Sequence, residues 1–411
     1  GAAAALIFPT VFFGEASPST ALILSFLTFA AGFIARPIGG IIFGHFGDRI
    51  GRKKTLVTAL ILMGVSSTLI GLLPTYAMIG VTAPILLTTL RFAQGIAIGG
   101  QWGGAMLLVT ESAPSNQRGY YGAFAQAGAP AGVILANLAF IITSASVSDE
   151  SFLAWGWRIP FLASALLIAI SMYIQLNLED TKAFKELQSY KENHLKDNNL
   201  NETSFKKSPI IEAIKKYPKR IILAAGAFLS IQVTFYILIA FMLVYGVSDT
   251  NLSRADILTA ILIASAIQIP VQFVFASYSD RHGRKGIFML GAVLTALWAF
   301  AIFPLVDTGS FWLTVLAITG GLVFLAMMYG PQAAFFTELF TTEVRYSGAT
   351  LGYQFGAIAG GAFAPSIAAF LWTEYDIVWV SAYIAFASLL TLLSVMTLTE
   401  TFQTDLNETT S

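Results

Sequence analysis

Long apolar runs, separated by short polar stretches, recur along almost the whole chain. A helix needs about 20 predominantly apolar residues to cross the ~30 Å hydrocarbon core of a bilayer. The runs have about this length, and we therefore predict eleven complete membrane-spanning helices. They cover residues 21–43, 55–73, 83–110, 119–144, 157–176, 221–245, 255–276, 287–305, 311–337, 346–371 and 377–398.

The apolar opening of the chain, residues 1–13, is too short to span a bilayer alone. We expect it to be the outer half of a first helix whose beginning is absent from this chain. A signal peptide is the weaker interpretation, because no basic residue precedes the apolar run. The chain shows no repeated alternation of apolar and polar residues of the kind found in outer-membrane barrels, so helices are the expected spanning element.

The composition supports an all-α integral membrane protein. Hydrophobic residues make up 56% of the 411 residues and charged residues 11%, against roughly 45–50% and 25% in a soluble domain. Cysteine is absent, which excludes a disulfide framework and a thiolate metal site. Three histidines and no clustered carboxylates leave no recognisable metal or nucleophile site. We expect neither an enzyme nor a bound cofactor or metal.

The positive charges predict how the chain is oriented. Nineteen of the 23 Lys and Arg residues lie in alternate loops, at 44–54, 111–119, 177–220, 277–286 and 338–345. The positive-inside rule places these loops in the cytoplasm. Both termini are then also cytoplasmic, in a multi-pass protein of the inner (plasma) membrane.

The longest polar segment, residues 178–218, predicts a cytoplasmic linker between two units of six helices. The units are an N-terminal bundle at 1–177 and a C-terminal bundle at 219–400, followed by a cytoplasmic tail at 401–411. An internal repeat supports this division, because four residues of the first half match the second at offsets of 227 to 232 residues. The matched pairs are Asp48 with Asp280, Glu111 with Glu338, Arg118 with Arg345, and Gln126 with Gln354.

Several motifs carry a family resemblance. The stretch GHFGDRIGRKK, residues 44–54, resembles the signature loop between helices two and three of the major facilitator superfamily. RFAQGIAIGG, from Arg91, resembles the helix-four motif of its proton-coupled members. More narrowly, GGQWGGAMLLVTESAP and TELFTTEVRYSG are similar to the metabolite:proton symporters, which include shikimate, α-ketoglutarate, citrate and proline/betaine carriers. The resemblance covers almost the whole chain. It implies a twelve-helix fold of two pseudo-symmetric bundles, with the first helix truncated here, and transport by alternating access.

Charged residues at the ends of the predicted helices form a candidate gate on the cytoplasmic face. Simple anchoring would explain the Lys and Arg residues, but not Asp48 or the glycines beside it. The resemblance implies that Asp48 meets the start of helix eleven, and symmetry then places Asp280 at the start of helix five. Ion pairs across the bundles would hold the cytoplasmic side shut. The predicted gate comprises Asp48, Arg49, Arg52, Glu111, Arg118, Asp280, Arg281, Arg284, Glu338 and Arg345.

Polar residues at membrane depth are candidates for substrate binding, because ionisable groups are costly there. Arg91, Gln94 and Gln101 share one face of a predicted helix, flanked by Trp102. Arg91 and Arg36 favour an anionic or carboxylate-bearing substrate, since a guanidinium group binds a carboxylate bidentately. Alternatively, Arg91 pairs with backbone carbonyls between helices and Arg36 is structural. Further uncharged candidates, each of which could instead join neighbouring helices, are Gln126, Tyr236, Gln332, Tyr353 and Gln354.

One departure from the family affects the predicted coupling. Relatives commonly carry Glu at the position of Gln101, and no Asp or Glu lies near the middle of a complete predicted helix. Proton coupling therefore rests on the resemblance alone.

The leading functional hypothesis is proton-coupled uptake of a small hydrophilic metabolite, an organic acid or a zwitterion. A proton-antiport exporter of drugs or metabolites should line its cavity with aromatic residues rather than with Arg and Gln. A non-transporting nutrient sensor should carry an added soluble domain. The expected partners are a small-molecule substrate, protons and the lipid bilayer, without nucleic acid, and we expect a monomer.

Overall fold

The structure is a computed structural model that describes residues 7–50, 52–177, 209–340 and 345–404. Some side chains in its helices, among them those of residues 44–50 and 52–56, lie outside this description. The first half of the chain forms α1 Phe8–Phe12, α2 Pro18–Ile50, α3 Arg52–Leu72, α4 Thr82–Ser112, α5 Arg118–Ser146 and α6 Arg158–Asn177. The second half forms α7 Pro218–Asp249, α8 Arg254–His282, α9 Arg284–Asp307, α10 Phe311–Glu338, α11 Ser347–Glu374 and α12 Ile377–Thr397.

Each predicted span lies within the corresponding helix of α2 to α12 or extends beyond one of its ends by a single residue. Within the described ranges, eight helices are long and apolar enough to cross a membrane. A ninth is added if Asp149–Gly156 and Arg158–Tyr173, bent by 50°, count as one span. Residues 178–208 of the predicted linker lie outside the described residues, and Pro209–Lys216 forms a short helix before α7.

Glycines bring α2 and α4 into close contact. A Cβ atom at Gly95 would overlap the carbonyl oxygen of Gly32, and one at Gly99 would overlap that of Arg36. Small residues at such positions let two helix backbones approach, which is the usual way that helices pack in membranes. This contact fixes Arg36 of α2 and Arg91 of α4 relative to each other.

The two halves meet along several helices. α2 packs against α11, and α5 packs against both α8 and α10. α4 also contacts α10 and α11. The helices that carry the candidate residues Arg36, Arg91 and Gln126 are therefore all in contact with the second half of the chain.

Candidate substrate site and gate

Arg284 is the centre of a buried charged cluster at the end of the molecule that holds the basic loops, here called the basic face. Its Nε and Nη2 donate to the carboxylate of Glu338 at 3.1 and 2.9 Å. Its Nη1 donates to Asp280 at 2.6 Å and to the Ser279 hydroxyl at 2.7 Å. The Arg284 side chain is fully buried, and a buried charge must be paired in this way. The cluster ties α8, α9 and α10 together.

Asp280 also bonds to the first half of the chain. Its Oδ1 accepts the backbone N–H of Gly119 at 2.8 Å and its Oδ2 that of Tyr120 at 2.9 Å. These amides belong to the first turn of α5, where backbone N–H groups lack intrahelical acceptors and carry partial positive charge. Gly119 permits the approach, because a Cβ there would lie 2.7 Å from the Ala276 carbonyl oxygen and 2.8 Å from Asp280 Oδ1. Asp280 thus joins α8 to α5 by charge-assisted hydrogen bonds.

Arg118 makes a second connection between the halves. Its Nη1 lies 3.6 Å from Glu338 Oε1 and donates to the carbonyl oxygen of Thr404 at 2.9 Å. The hydroxyl oxygens of Thr110 and Thr337 are 3.0 Å apart. Both α4 and α5 are therefore bonded to the second half on the basic face.

The residues after α12 contribute contacts that the sequence analysis missed. Glu400 accepts the backbone N–H groups of Arg284 at 2.9 Å and Lys285 at 3.0 Å, and so caps the start of α9. The Thr401 hydroxyl donates to Glu338 Oε2 at 2.8 Å. The start of the predicted tail is thus part of the charged cluster.

The remaining predicted gate residues differ in what the structure shows of them. Arg281 is exposed and lies outside the cluster that the described side chains form. Arg345 is buried, and its Nε donates to the carbonyl oxygens of Thr337 and Phe340 at 3.1 and 3.3 Å. Four members have side chains outside the described part of the structure: Asp48, Arg49, Arg52 and Glu111.

The halves also touch at the opposite end, here called the acidic face. Arg254 Nη2 lies 3.2 Å from Asp149 Oδ1, and the Arg254 guanidinium carbon stands 4.5 Å from the centroid of the Phe152 ring. Asn137 Nδ2 donates to the carbonyl oxygen of Leu258 at 3.1 Å. The Asp149 side chain is 84% exposed, and exposed pairs contribute only about 0–1 kcal/mol. The described ionic contacts therefore hold this end less strongly than the basic face.

Arg36 lies between the halves, within a group of aromatic rings. Its guanidinium carbon is 4.0 Å from the centroid of Phe33, and Tyr236 of α7 packs edge-on against Phe33 at 5.1 Å. The hydroxyls of Tyr329 in α10 and Tyr353 in α11 lie within electrostatic range of Arg36. One arginine of the first half thus lies near two tyrosines of the second, and the phenylalanine ring beside it contacts a third.

Two irregular helices shape this aromatic cluster. α7 contains a π-helical segment, Ile237–Phe241, directly after Tyr236, and α11 contains another, Ala357–Ala362. Such segments change which side chains face a neighbouring helix and are frequent at functional sites. Gly361 lets α11 approach the cluster, because a Cβ there would lie 3.0 Å from both Phe33 and Tyr236.

Arg91 lies beside Phe29, whose ring packs edge-on against both Phe33 and Tyr236 at 5.2 Å. Its guanidinium carbon is 5.2 Å from the ring centroid of Phe8 and 5.9 Å from that of Phe29. Its Nη1 donates to Gln94 Oε1 at 3.3 Å, and Gln94 Nε2 donates to the Ser67 hydroxyl at 2.8 Å. The chain of bonds from Arg91 to Ser67 orients the guanidinium group against α3. The described contacts of Arg91 are with side chains rather than with backbone carbonyls.

The other two predicted residues of α4 are less informative. Gln101 has a buried Nε2 without a hydrogen-bond partner. The Trp102 side chain lies outside the described part of the structure.

Arg36 and Arg91 have no carboxylate partner among the described residues. None of the described ion pairs includes either residue, and the Nε of each is buried without an acceptor. An ionised group at membrane depth without a counter-ion is unfavourable. Both guanidinium groups are therefore suited to receive an anionic group that the protein does not supply, and their planar fork matches a carboxylate.

Amide side chains lie beside the tyrosines. Gln126 of α5 donates from Nε2 to Gln332 Oε1 of α10, and also to the carbonyl oxygen of Tyr329 at 3.4 Å. Gln332 Nε2 and Gln354 Oε1 are buried without partners. The structure thus brings Gln126 and Gln332 together, whereas no described hydrogen bond joins Gln354 to them.

The helices are long enough to cross a membrane, and they form two halves that are bonded to each other at both ends, with buried polar groups between them. This arrangement is typical of a multi-pass membrane transporter. The family model for the Major Facilitator Superfamily matches residues 2–353 and 249–409. The chain belongs to this superfamily.

Individual relatives agree with that assignment. The chain is 38% identical over 407 residues to the inner membrane metabolite transport protein YhjE of Escherichia coli strain K12. The alignment covers 97% of this chain and 89% of that protein. It is 38% identical over 392 residues to the shikimate transporter of the same organism, covering 93% and 86%. A partially occluded inward-open structure of the xylose transporter XylE from Escherichia coli aligns with a TM-score of 0.70 at 18% identity, over 97% of this chain and 94% of that chain. The predicted family and fold are confirmed, and the chain is a transporter rather than an enzyme.

Proposed function

We propose that this chain is a secondary active transporter that takes up an organic acid or a zwitterion together with protons, across the inner membrane. The observation that carries the proposal is a pair of buried guanidinium groups without a described counter-ion: Arg36, which lies between the halves, and Arg91, which lies beside Phe29. A substrate carboxylate would supply the missing negative charge. The relatives support a metabolite as substrate, because one is a metabolite transport protein and another carries shikimate, a hydroxylated carboxylate.

Alternating access would proceed by separation of the halves at one end at a time. On the basic face, opening would break the bonds from Asp280 to the start of α5 and those of Arg118 to Glu338 and Thr404. The contacts of Arg284 with Asp280 and Glu338 lie within the second half and would move with it. The gate would therefore consist of the inter-half bonds, with Arg284 as the rigid centre that positions their acceptors.

Proton coupling is supported by the resemblance of the helix-four motif at Arg91 to that of proton-coupled members of the superfamily. XylE, which shares the fold, is a proton:xylose symporter. We assign no residue of this chain as the proton carrier.

Binding by purified variants tests the proposed site. Arg36→Gln and Arg91→Gln should abolish the ligand-induced thermal shift given by organic acids or zwitterions, because each removes a charge-assisted contact to the carboxylate. Arg91→Lys should give an intermediate loss, since it keeps the charge without the bidentate geometry. The control is Arg158→Gln, which removes bonds to the carbonyls of Gly71 and Leu73 at the end of α3 and should lower stability without changing affinity. Near-normal affinity in folded Arg91→Gln would refute its assignment to the site.

Labelling of single cysteines tests the proposed orientation, and the cysteine-free chain makes this straightforward. Cysteines at Ser148 and Ser310 should react with an impermeant reagent in intact cells. One at Ser204, in the predicted linker, should react only after permeabilisation. The reverse pattern would contradict the cytoplasmic location of the basic loops.

A further inference from the structure

Four glutamines form an amide cluster between α5, α8 and α10: Gln126, Gln268, Gln272 and Gln332. All four are buried, with exposures of 1% or less. Four of their polar atoms have no hydrogen-bond partner, namely both amide atoms of Gln268, Oε1 of Gln272 and Nε2 of Gln332. Unpaired buried amides are unfavourable and uncommon in folded proteins. Their concentration at the contact between the two halves indicates a binding role.

The position of Gln268 follows from the packing of α8 on α5. Gln268 precedes Gln272 by four residues, so both lie on the same face of α8. Gln272 Nε2 donates to the carbonyl oxygen of Ala123 at 3.4 Å. α5 and α8 run antiparallel, as their contacts at the two ends of the molecule show. Gln268 therefore lies one turn further along α5 than Ala123, level with Gln126.

Tyr329 connects this amide cluster with the arginine site. Its carbonyl oxygen accepts a hydrogen bond from Gln126, and its hydroxyl lies within electrostatic range of Arg36. A small molecule held by a guanidinium group at one end could thus reach the unpaired amides with its other end.

We propose that Gln268, together with Gln272 and Gln332, forms a neutral subsite that binds a hydroxyl or carboxamide group of the substrate. An amide side chain offers two donors and an acceptor, and a hydroxyl group can both donate and accept. The substrate would therefore be a carboxylate or zwitterion that carries a hydroxyl or carboxamide group, rather than one that lacks both. This inference rests on the proposed function and deepens it by naming the second recognition group.

The first test is the stability of the ligand-free protein. Gln268→Met replaces an unpaired buried amide by an apolar side chain of similar shape and should raise the midpoint of thermal unfolding. The control is Thr295→Val, which removes another unpaired buried polar atom, in α9, away from the amide cluster. Thr295→Val should likewise raise the midpoint of thermal unfolding, but it should leave substrate selectivity unchanged. If Gln268 instead holds helices together, Gln268→Met should lower the midpoint, and that result would overturn the subsite.

The second test compares the binding of matched compounds: malate with succinate, trans-4-hydroxyproline with proline, carnitine with γ-butyrobetaine, and shikimate with cyclohex-1-enecarboxylate. In at least one pair, the wild type should prefer the hydroxylated member by about tenfold or more. Gln268→Met should reduce that preference to about threefold or less by weakening only the hydroxylated member.

The outcomes separate this subsite from the proposed function. Binding of the compounds without a hydroxyl preference, or a preference that Gln268→Met leaves intact, would overturn the subsite and leave the transport function standing. If no compound of any pair binds, both the subsite and the proposed substrate class are overturned.

Discussion

Asp280→Asn should shift the basic face towards its open state. Asp280 accepts two backbone N–H groups of α5, at 2.8 and 2.9 Å. An asparagine side chain has one acceptor oxygen, so one of the two bonds becomes neutral and the other is lost. A hydrogen bond to a charged group contributes about 1.5–3 kcal/mol, against about 0.5–1.5 kcal/mol for a neutral pair, so the first change costs about 1 kcal/mol and the second about 1.5–3 kcal/mol. The sum of about 2.5–4 kcal/mol corresponds to a closed-to-open ratio lowered by about 60- to 700-fold.

Distances between spin labels measure this ratio. The labels are placed on cysteines introduced at Ser115 and His282, which are exposed residues of opposite halves on the basic face. The control is Asp256→Asn, the same substitution at the other end of α8, where Asp256 accepts the N–H of Ser253 in a capping box within one helix. The control should leave the distances unchanged. A change of less than about twofold in Asp280→Asn, or an equal change in the control, would refute the gating role, since about 2.5–4 kcal/mol is expected to shift the ratio by about 60-fold or more.

Three further outcomes are expected. Glu400→Gln should open the basic face less than Asp280→Asn, because the bonds of Glu400 lie within the second half, and an equal or larger effect in the same label distances would contradict this. Arg254→Gln should shift label distances on the acidic face by about fivefold at most, because an exposed pair contributes about 0–1 kcal/mol; a tenfold shift would show a stronger contact. Gly99→Ala should lower the thermal unfolding midpoint, since overpacking costs about 1–3 kcal/mol. Gly40→Ala should not, because the nearest atom is 3.6 Å from the added Cβ. Equal midpoints in the two variants would argue against close packing of α2 on α4.

The helices could be predicted from the sequence because a segment that crosses the hydrocarbon core must be apolar, about 20 residues long and helical, so that its backbone hydrogen bonds are made internally. The contacts between helices could not, since apolar residues face lipid and neighbouring helices alike. The close approach of α2 and α4 at Gly95 and Gly99 is an example. The GxxxG spacing of these residues was a usable signal, but helix four contains several glycines and the sequence alone does not indicate which ones face α2.

The charged residues of the site and gate could be found because Arg36 and Arg91 interrupt apolar segments and Asp280 repeats Asp48. Glu400 was missed because it follows the last helix, where acidic residues are common.

The amides posed a different difficulty. Whether a buried glutamine joins two helices or keeps an unpaired atom depends on packing, and the structure alone distinguishes Gln126, which is bonded across the halves, from Gln268, which is not bonded.

The most direct test of the proposed transport function is uptake of radiolabelled organic acids and zwitterions by proteoliposomes, with and without an imposed pH gradient. We predict that at least one compound accumulates when the lumen is alkaline relative to the outside and that a protonophore abolishes the accumulation. Arg36→Gln proteoliposomes should fail to accumulate it. Accumulation only under the opposite gradient would indicate a proton-antiport exporter, and uptake no greater than that of protein-free liposomes for every compound would contradict the proposed function.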